Sequence, residues 1–174
     1  MDENSIHVPI EIRPERLSDF SRVRRVVEDA FGRAAEADLI DRLRDDAVSI
    51  SSIVAVENDQ LVGHALFSRV WIDSDGASIA VASLAPVSVR SDRQRRGIGS
   101  ALIVRGIEEC RAAGWPAIIV VGHTGYYPRF GFSAALVSHL ESPYAGTHFM
   151  GLELRSGALT RVFGRVRYPA AFGK

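Results

Sequence analysis

The sequence predicts an α/β layered fold, a mixed sheet with helices on its faces. Three observations carry that expectation. Strand-like and helix-like periodicities alternate along the 174 residues, one long helical stretch opens at the paired glycines Gly97 and Gly99, and the run Ala117–Val121 (AIIVV) is wholly apolar. A five-residue apolar run is too short for a buried helix and reads as a strand covered on both faces.

The elements follow in order. Residues 8–13 (VPIEIR) form a short strand. Ser18 offers an N-cap to a helix carrying Phe20, Val23, Val27, Ala30 and Phe31 at helical spacing, and Gly32 ends it. A second helix, Ala35 to Arg44, presents Leu39, Ile40 and Leu43. Ile50–Glu57 and Leu61–Ile72 read as strands joined at Asn58-Asp59, and Asp73-Ser74-Asp75-Gly76 makes the next turn. Ile79–Val89 is a third strand in which Pro86, having no N–H to give a ladder, implies a bulge or an edge. A helix spans Gly97 to Ala113 and stops at Gly114. After Ala117–Val121 come one or two helical turns at Tyr126–Phe130, then closing strands at Phe149–Leu154 and Thr160–Val166.

Composition narrows the class. Hydrophobic residues make up 47% and charged residues 24%, an ordinary globular mixture, and no repeat or linker divides residues 1–174, which are expected to form a single domain. No apolar run reaches the ~18 residues that a spanning helix needs, and the opening MDENSIHVPIEIRPER lacks the apolar core of a secretory signal. With one cysteine, Cys110, a reducing cytoplasm is the expected location, and no membrane partner is expected. Lys+Arg and Asp+Glu both count 21, a balance that argues against a nucleic-acid binder. His7, His139 and His148 show no ligand spacing, so no metal is expected.

The informative stretch is Val87 to Ile103: strand, arginine-rich loop (Arg90, Arg93, Arg95, Arg96), two glycines, helix. The first turn of a helix has N–H groups without internal partners, and with the helix dipole they attract phosphate. A Walker loop needs a lysine that is absent, and the dinucleotide fingerprint would need glycine where Leu102 stands. What survives is Gln94-x-x-Gly97-x-Gly99; the plain alternative is a tight strand-to-helix turn.

That hexapeptide resembles the acetyl-CoA loop of GNAT acetyltransferases, (Q/R)-x-x-G-x-(G/A). Tyr127-Pro128-Arg129-Phe130-Gly131-Phe132, after the next strand, is similar to the family's Y-x-x-x-G-F element. With the two in this order the resemblance is specific over about residues 54–132 and looser outside, and Tyr168-Pro169-Ala170-Ala171-Phe172 resembles a poorly characterised bacterial branch. The resemblance implies a mostly antiparallel sheet whose fourth strand bulges and splays from the fifth. It implies acetyl-CoA as cosubstrate, a primary amine as acceptor and direct transfer, and many members are dimers. Carried over, Gln94, Arg95, Arg96, Gly97, Ile98, Gly99 and Ser100 hold the phosphates. Val87, Ser88 and Val89 pair with the pantetheine arm. The Val89 N–H holds the thioester carbonyl, and Tyr127 protonates the departing thiolate or else only packs on the cofactor.

The acceptor side is less determined. Tyr126 reads as a core or substrate-pocket ring. Glu36, His64 and His123 are the polar candidates for substrate contact and for the general base, each with a structural alternative: a capping acid, a hydrogen-bonded sheet residue, a turn residue. Cys110, three residues after Ile107 on one helix, reads as a small core side chain. A non-catalytic acyl-CoA sensor and an unrelated phosphate-ligand module stand as the other readings.

Overall fold

The computed structural model describes residues 9–173; Val8, His7 and Lys174 lie outside them. Among the described residues seven strands are β1 (Glu11–Pro14), β2 (Ser49–Glu57), β3 (Gln60–Ser74), β4 (Ala77–Val89), β5 (Ala117–Val121), β6 (Phe149–Glu153) and β7 (Arg165–Arg167). Three α-helices are α1 (Phe20–Phe31), α2 (Ala35–Asp45) and α3 (Ile98–Ala112). The sheet order is β1-β2-β3-β4-β5-β6, with β7 added to β3. All pairings are antiparallel except β4 with β5. This is the mixed, mostly antiparallel sheet that the sequence implied.

Alternation along the strands sorts side chains onto two faces. Ile53, Ala55, Ala65 and Phe67 pack with Leu102, Ile103 and Ile107 of α3, while Val54, Val56 and Leu66 pack with Val23, Val27, Ile40 and Leu43 of α1 and α2. A third cluster, beyond the α1–α2 layer, joins Val70, Val81 and Ile119 to Phe149, Leu159 and Tyr168. Phe172, in a short 3-10 turn at Ala170–Phe172, touches this cluster and that of α1 and α2, and Arg42 Nε donates to Ala171 O (3.2 Å).

Four local expectations change. Ser18 does not cap α1; it lies in a 3-10 turn at Leu17–Asp19. The buried Asp19 carboxylate instead accepts from Arg13, Arg22 and the Arg16 N–H. The Arg13 bond leads in drawing its pKa down to about 2. Asp73 and Ser74 belong to β3, pairing with Ser78 and Ala77, so the turn tightens to Asp75-Gly76. Residues 160–164 are not strand: the Glu153 carboxylate gathers the N–H groups of Gly157, Leu159 and Thr160 into a turn, and β7 starts only at Arg165. Val121 is 45% exposed, not buried like Ala117–Val120, because the β4–β5 ladder ends at Leu84↔Val120.

Pro86 produces the bulge expected of it. Ala65 pairs with Val87 but Phe67 with Leu84, so Ala85 and Pro86 together oppose Leu66. Cys110 is buried in the core under α3 and burial pushes its thiol up to about 12, which leaves it an inert packing group.

α3 lies close on the sheet because position 106 has no side chain. A Cβ on Gly106 would stand 2.0 Å from the buried ring of Phe67. Gly106→Ala would gain about 1 kcal/mol of helix propensity but lose more to the clash, since overpacking a filled core costs about 1–3 kcal/mol. We expect a net drop in thermal midpoint, recovered in the Gly106→Ala, Phe67→Leu double variant. Additive losses in that cycle would show that the two positions do not meet.

Candidate functional site

The site begins with the phase of the β3–β4 ladder. Arg90 N–H donates to Val62 O (2.9 Å), which makes His64–Ser88 a hydrogen-bonded pair. In an antiparallel ladder the alternate residues turn their polar groups the other way. Val87 and Val89 therefore point N–H and C=O toward β5, at a level where β5 no longer pairs. A V-shaped opening results, with free strand amides along one wall. Gln94 closes its end by donating through Nε2 to Val89 O (3.1 Å).

The loop from β4 to α3 is tied down by acids. Glu57, almost fully buried, takes Arg93 (2.7 Å) and Arg96 (2.8 Å); Asp92 takes Arg90 (2.6 Å); Asp29 accepts the Ser91 N–H (2.7 Å). Gly97 then adopts φ +81° and caps α3, whose first internal bond runs from Ala101 N–H to Gly97 O. The N–H groups of Ile98, Gly99 and Ser100 precede that bond and have no helical partner. A cleft of ≈ 780 Å³ joins them to Val87 and Val89, a size suited to a small-molecule ligand. Arg95 and Arg129 also line it, and neither has an acidic partner among the described residues.

Two tyrosines form the opposite wall. The His123 carbonyl accepts from the N–H groups of Tyr126 (3.0 Å) and Tyr127 (3.3 Å), which fixes the turn that follows β5. The Tyr126 hydroxyl lies 3.2 Å from Ser100 Oγ, and Arg129 stacks 4.6 Å over the Tyr126 ring. The Tyr127 ring packs edge-on against Tyr126 and Phe132. Burial, then the neighbouring Tyr126, pushes the Tyr127 pKa up to about 12. Its hydroxyl has no hydrogen-bond partner among the described residues, and the residue lines the cleft.

The structure thus gathers Val87, Val89, Gln94, Arg95, Gly97, Ile98, Gly99, Ser100, His123, Tyr126 and Tyr127 around one cleft. It leaves others out. Arg96 is spent on Glu57, and the Ser88 side chain turns to the far face, 3.4 Å from His64 O. Glu36, in the first turn of α2, pairs with Arg33. His64 is fully buried under the α1–α2 layer, with Nε2 2.8 Å from Ser52 Oγ, whose hydroxyl donates to Glu15 (2.6 Å). Burial, then the Arg44 charge, holds it near pKa 3 and therefore neutral. Tyr126 stands beside the start of α3, where its hydroxyl meets Ser100. The sequence reading places Arg93 in the arginine-rich loop without a role at the cleft, and passes over Arg129 and Gly122. Arg129 was within reach, three residues after Tyr126 in the quoted element. A second cavity of ≈ 720 Å³ lies at the other end of β3, but its charges pair with each other, Arg165 with Glu141 and Arg167 with Asp73. Among the described residues no group of three or more His, Cys, Asp or Glu is placed to hold a metal, and no helix is long and apolar enough to cross a membrane.

Residues 11–135 match the family model described as the acetyltransferase (GNAT) domain. The chain is 40% identical over 117 residues to the uncharacterised N-acetyltransferase YjhQ of Escherichia coli K12, a match spanning 66% of this chain and 65% of that protein. It superposes on the crystal structure of the GNAT family N-acetyltransferase YhbS from Escherichia coli in complex with CoA (TM-score 0.87, 28% identity, 96% and 93% of the two chains). It also superposes on a GNAT family acetyltransferase from Brucella melitensis in complex with acetyl-CoA (TM-score 0.79, 35% identity, 95% and 99%).

The seat of Tyr127 depends on Gly122, where a Cβ would lie 2.2 Å from the ring. Gly122→Ala is expected to displace the phenol from the cleft at a cost of about 1–3 kcal/mol. A chemical-denaturation curve reads the loss. Stability unchanged from wild type would mean that the ring yields freely and is not held by this contact.

Proposed function

This chain belongs to the GNAT acetyltransferase family, and on that premise we propose that it moves an acetyl group from acetyl-CoA to a primary amine by direct attack, with residues 1–174 acting as one catalytic domain. The observation that supports this reading most is the meeting of two sets of unpaired amides, from β4 and from the start of α3, in the one cleft that Tyr127 closes.

Bound acetyl-CoA supplies an acetyl group already activated as a thioester. The residues that would hold it fit its chemistry. The N–H groups of Ile98, Gly99 and Ser100, at the positive end of the α3 dipole, receive a pyrophosphate, and Gly97 and Gly99 put no Cβ in its way. Arg95 and Arg129 add charge from two sides. The edge amides of Val87 and Val89 take the extended pantetheine arm as a further strand would be taken. The Val89 N–H is aimed where the thioester carbonyl gathers negative charge, and a preset donor there is worth most in a site closed to water. Tyr127 holds a proton on its hydroxyl at neutral pH and gives it to the departing sulfur.

The first test is binding. A ligand that binds only the native state adds ~2.7 kcal/mol at a hundredfold excess over its dissociation constant. CoA and acetyl-CoA are expected to raise the thermal midpoint clearly, and Gly99→Glu to abolish that rise by placing a carboxylate in the phosphate position. A shift from ATP or NAD but none from millimolar CoA would overturn the assignment.

The second test is Tyr127→Phe, which keeps the ring and deletes the hydroxyl. Turnover with the best amine of a panel, followed as free CoA thiol, is expected to fall ~10²–10⁴-fold with acetyl-CoA affinity little changed. Wild-type turnover in a variant whose chemical step limits the rate would remove Tyr127 from the reaction.

A further inference from the structure

An amine must lose a proton to become an amide, so the reaction needs a proton acceptor as well as the donor Tyr127. The titratable side chains lining the cleft are Arg93, Arg95, His123, Tyr126, Tyr127 and Arg129; no carboxylate is among them. Arginine does not give up its proton in proteins, and the tyrosines begin protonated. Histidine is the one side chain of ordinary pKa whose charge changes between pH 5 and 8. The other candidates are committed elsewhere. Glu36 is held by Arg33, and His64 is sealed beneath α1 and α2 and bonded to Ser52. His139 faces the carbonyls of Leu159 and Val162, and His148 that of Gly122. Of the described histidines, His123 alone lines the cleft, and its side chain has no hydrogen-bond partner among the described residues.

Position agrees with this elimination. β4 and β5 pair in parallel up to Leu84↔Val120 and then part. His123, three residues beyond Val120, stands across the opening from the free amides of Val87 and Val89. Its own carbonyl holds the N–H groups of Tyr126 and Tyr127, so the backbone that places His123 also places Tyr127.

We propose that His123 is the catalytic base, taking the proton from the attacking nitrogen while Tyr127 gives one to sulfur. The proposal rests on the acetyl-transfer reading above. As the nitrogen–carbon bond forms and the carbon–sulfur bond breaks, one proton passes from nitrogen to the His123 imidazole and one from the Tyr127 hydroxyl to the thiolate. Imidazolium and phenolate then exchange that single proton through solvent, which restores both. An amine that arrives as ammonium sheds its extra proton to solvent first. No external oxidant or co-reactant is required. The charges that line the cleft with His123 are those of Arg93, Arg95 and Arg129, and His148, the residue before β6, meets the same strand end as a ring bonded to Gly122 O.

The experiment compares wild type with His123→Ala and His123→Gln. Because the ring bonds to nothing among the described residues, both variants are expected to fold and to bind acetyl-CoA with dissociation constants within about twofold of wild type. At neutral pH and saturating acetyl-CoA, turnover is expected to fall ~10²–10⁴-fold in both. With an acceptor whose own ammonium ionises below the pH range scanned, or with water as nucleophile, the acid-side decline of kcat/KM expected of wild type should disappear in both, and added imidazole should partly restore His123→Ala. If no amine of the panel is acetylated, acceptor-free hydrolysis of acetyl-CoA gives the same comparison with water as nucleophile. Wild-type rates in both variants, an acid limb that survives the substitution, or a loss explained by weaker acetyl-CoA binding would each overturn the assignment. Failure of wild type to bind acetyl-CoA at all would instead strike the acetyl-transfer reading.

Discussion

The site depends first on how closely α3 lies against the sheet. Gly106 removes the only atom that would hold the helix off Phe67, and Ile98, Leu102, Ile103 and Ile107 fill the contact on either side. A rigid fifteen-residue helix seated in this way has no freedom to choose where its first turn ends up. The amides of Ile98, Gly99 and Ser100 are delivered to the same height as the end of β4. The bulge at Ala85–Pro86 supplies the matching half by turning Val87 and Val89 outward just where β5 leaves the ladder. Neither feature makes the cleft alone: the bulge opens the sheet, and the close-packed helix brings its unpartnered N–H groups to the opening.

The arginine-rich loop divides its labour by burial. Arg93 and Arg96 converge on Glu57, and Arg90 on Asp92, so most of the cluster's charge is neutralised within the protein and serves to hold the loop's shape. What faces the cleft is a set of backbone dipoles with Arg95 and Arg129 at the margin. Fixed amides suit the proposed phosphate contact better than long side chains, because they lose little freedom on binding and reorganise little on release.

Much of this was legible in the chain. The order strand, Gln94-x-x-Gly97-x-Gly99, helix, strand, Tyr-x-x-x-Gly-Phe led to the fold and to the residues of the cleft, because turn glycines and helix starts are local signals. Pro86 announced its bulge for a local reason too, the missing N–H. What escaped was long-range. Nothing near Arg96 in the sequence indicates that Glu57, 39 residues earlier, claims it. Thr160–Val166 has strand composition, but Glu153 reaches forward and winds its first part into a turn. His64 stands among apolar neighbours and reads equally as a site residue or a hydrogen-bonded sheet residue, and only its contact with Ser52 beneath α1 and α2 decides for the second. Ser18 reads as a cap, whereas it is the next residue, Asp19, on which three donors converge and which anchors β1 to α1.

Phe172 has a bearing on how the molecule is made. It touches the cluster under α1 and α2 and the cluster built from the later strands, and the carbonyl beside it, that of Ala171, accepts from Arg42. The helices of the first fifty residues are therefore completed by a ring more than a hundred residues downstream. During synthesis, β2, β3 and β4 can pair as a local meander soon after they emerge, but the seam on that face stays open until Phe172 has left the ribosome. Until then a strip of apolar surface faces the solvent, and the nascent chain is most exposed to aggregation or chaperone capture in that interval.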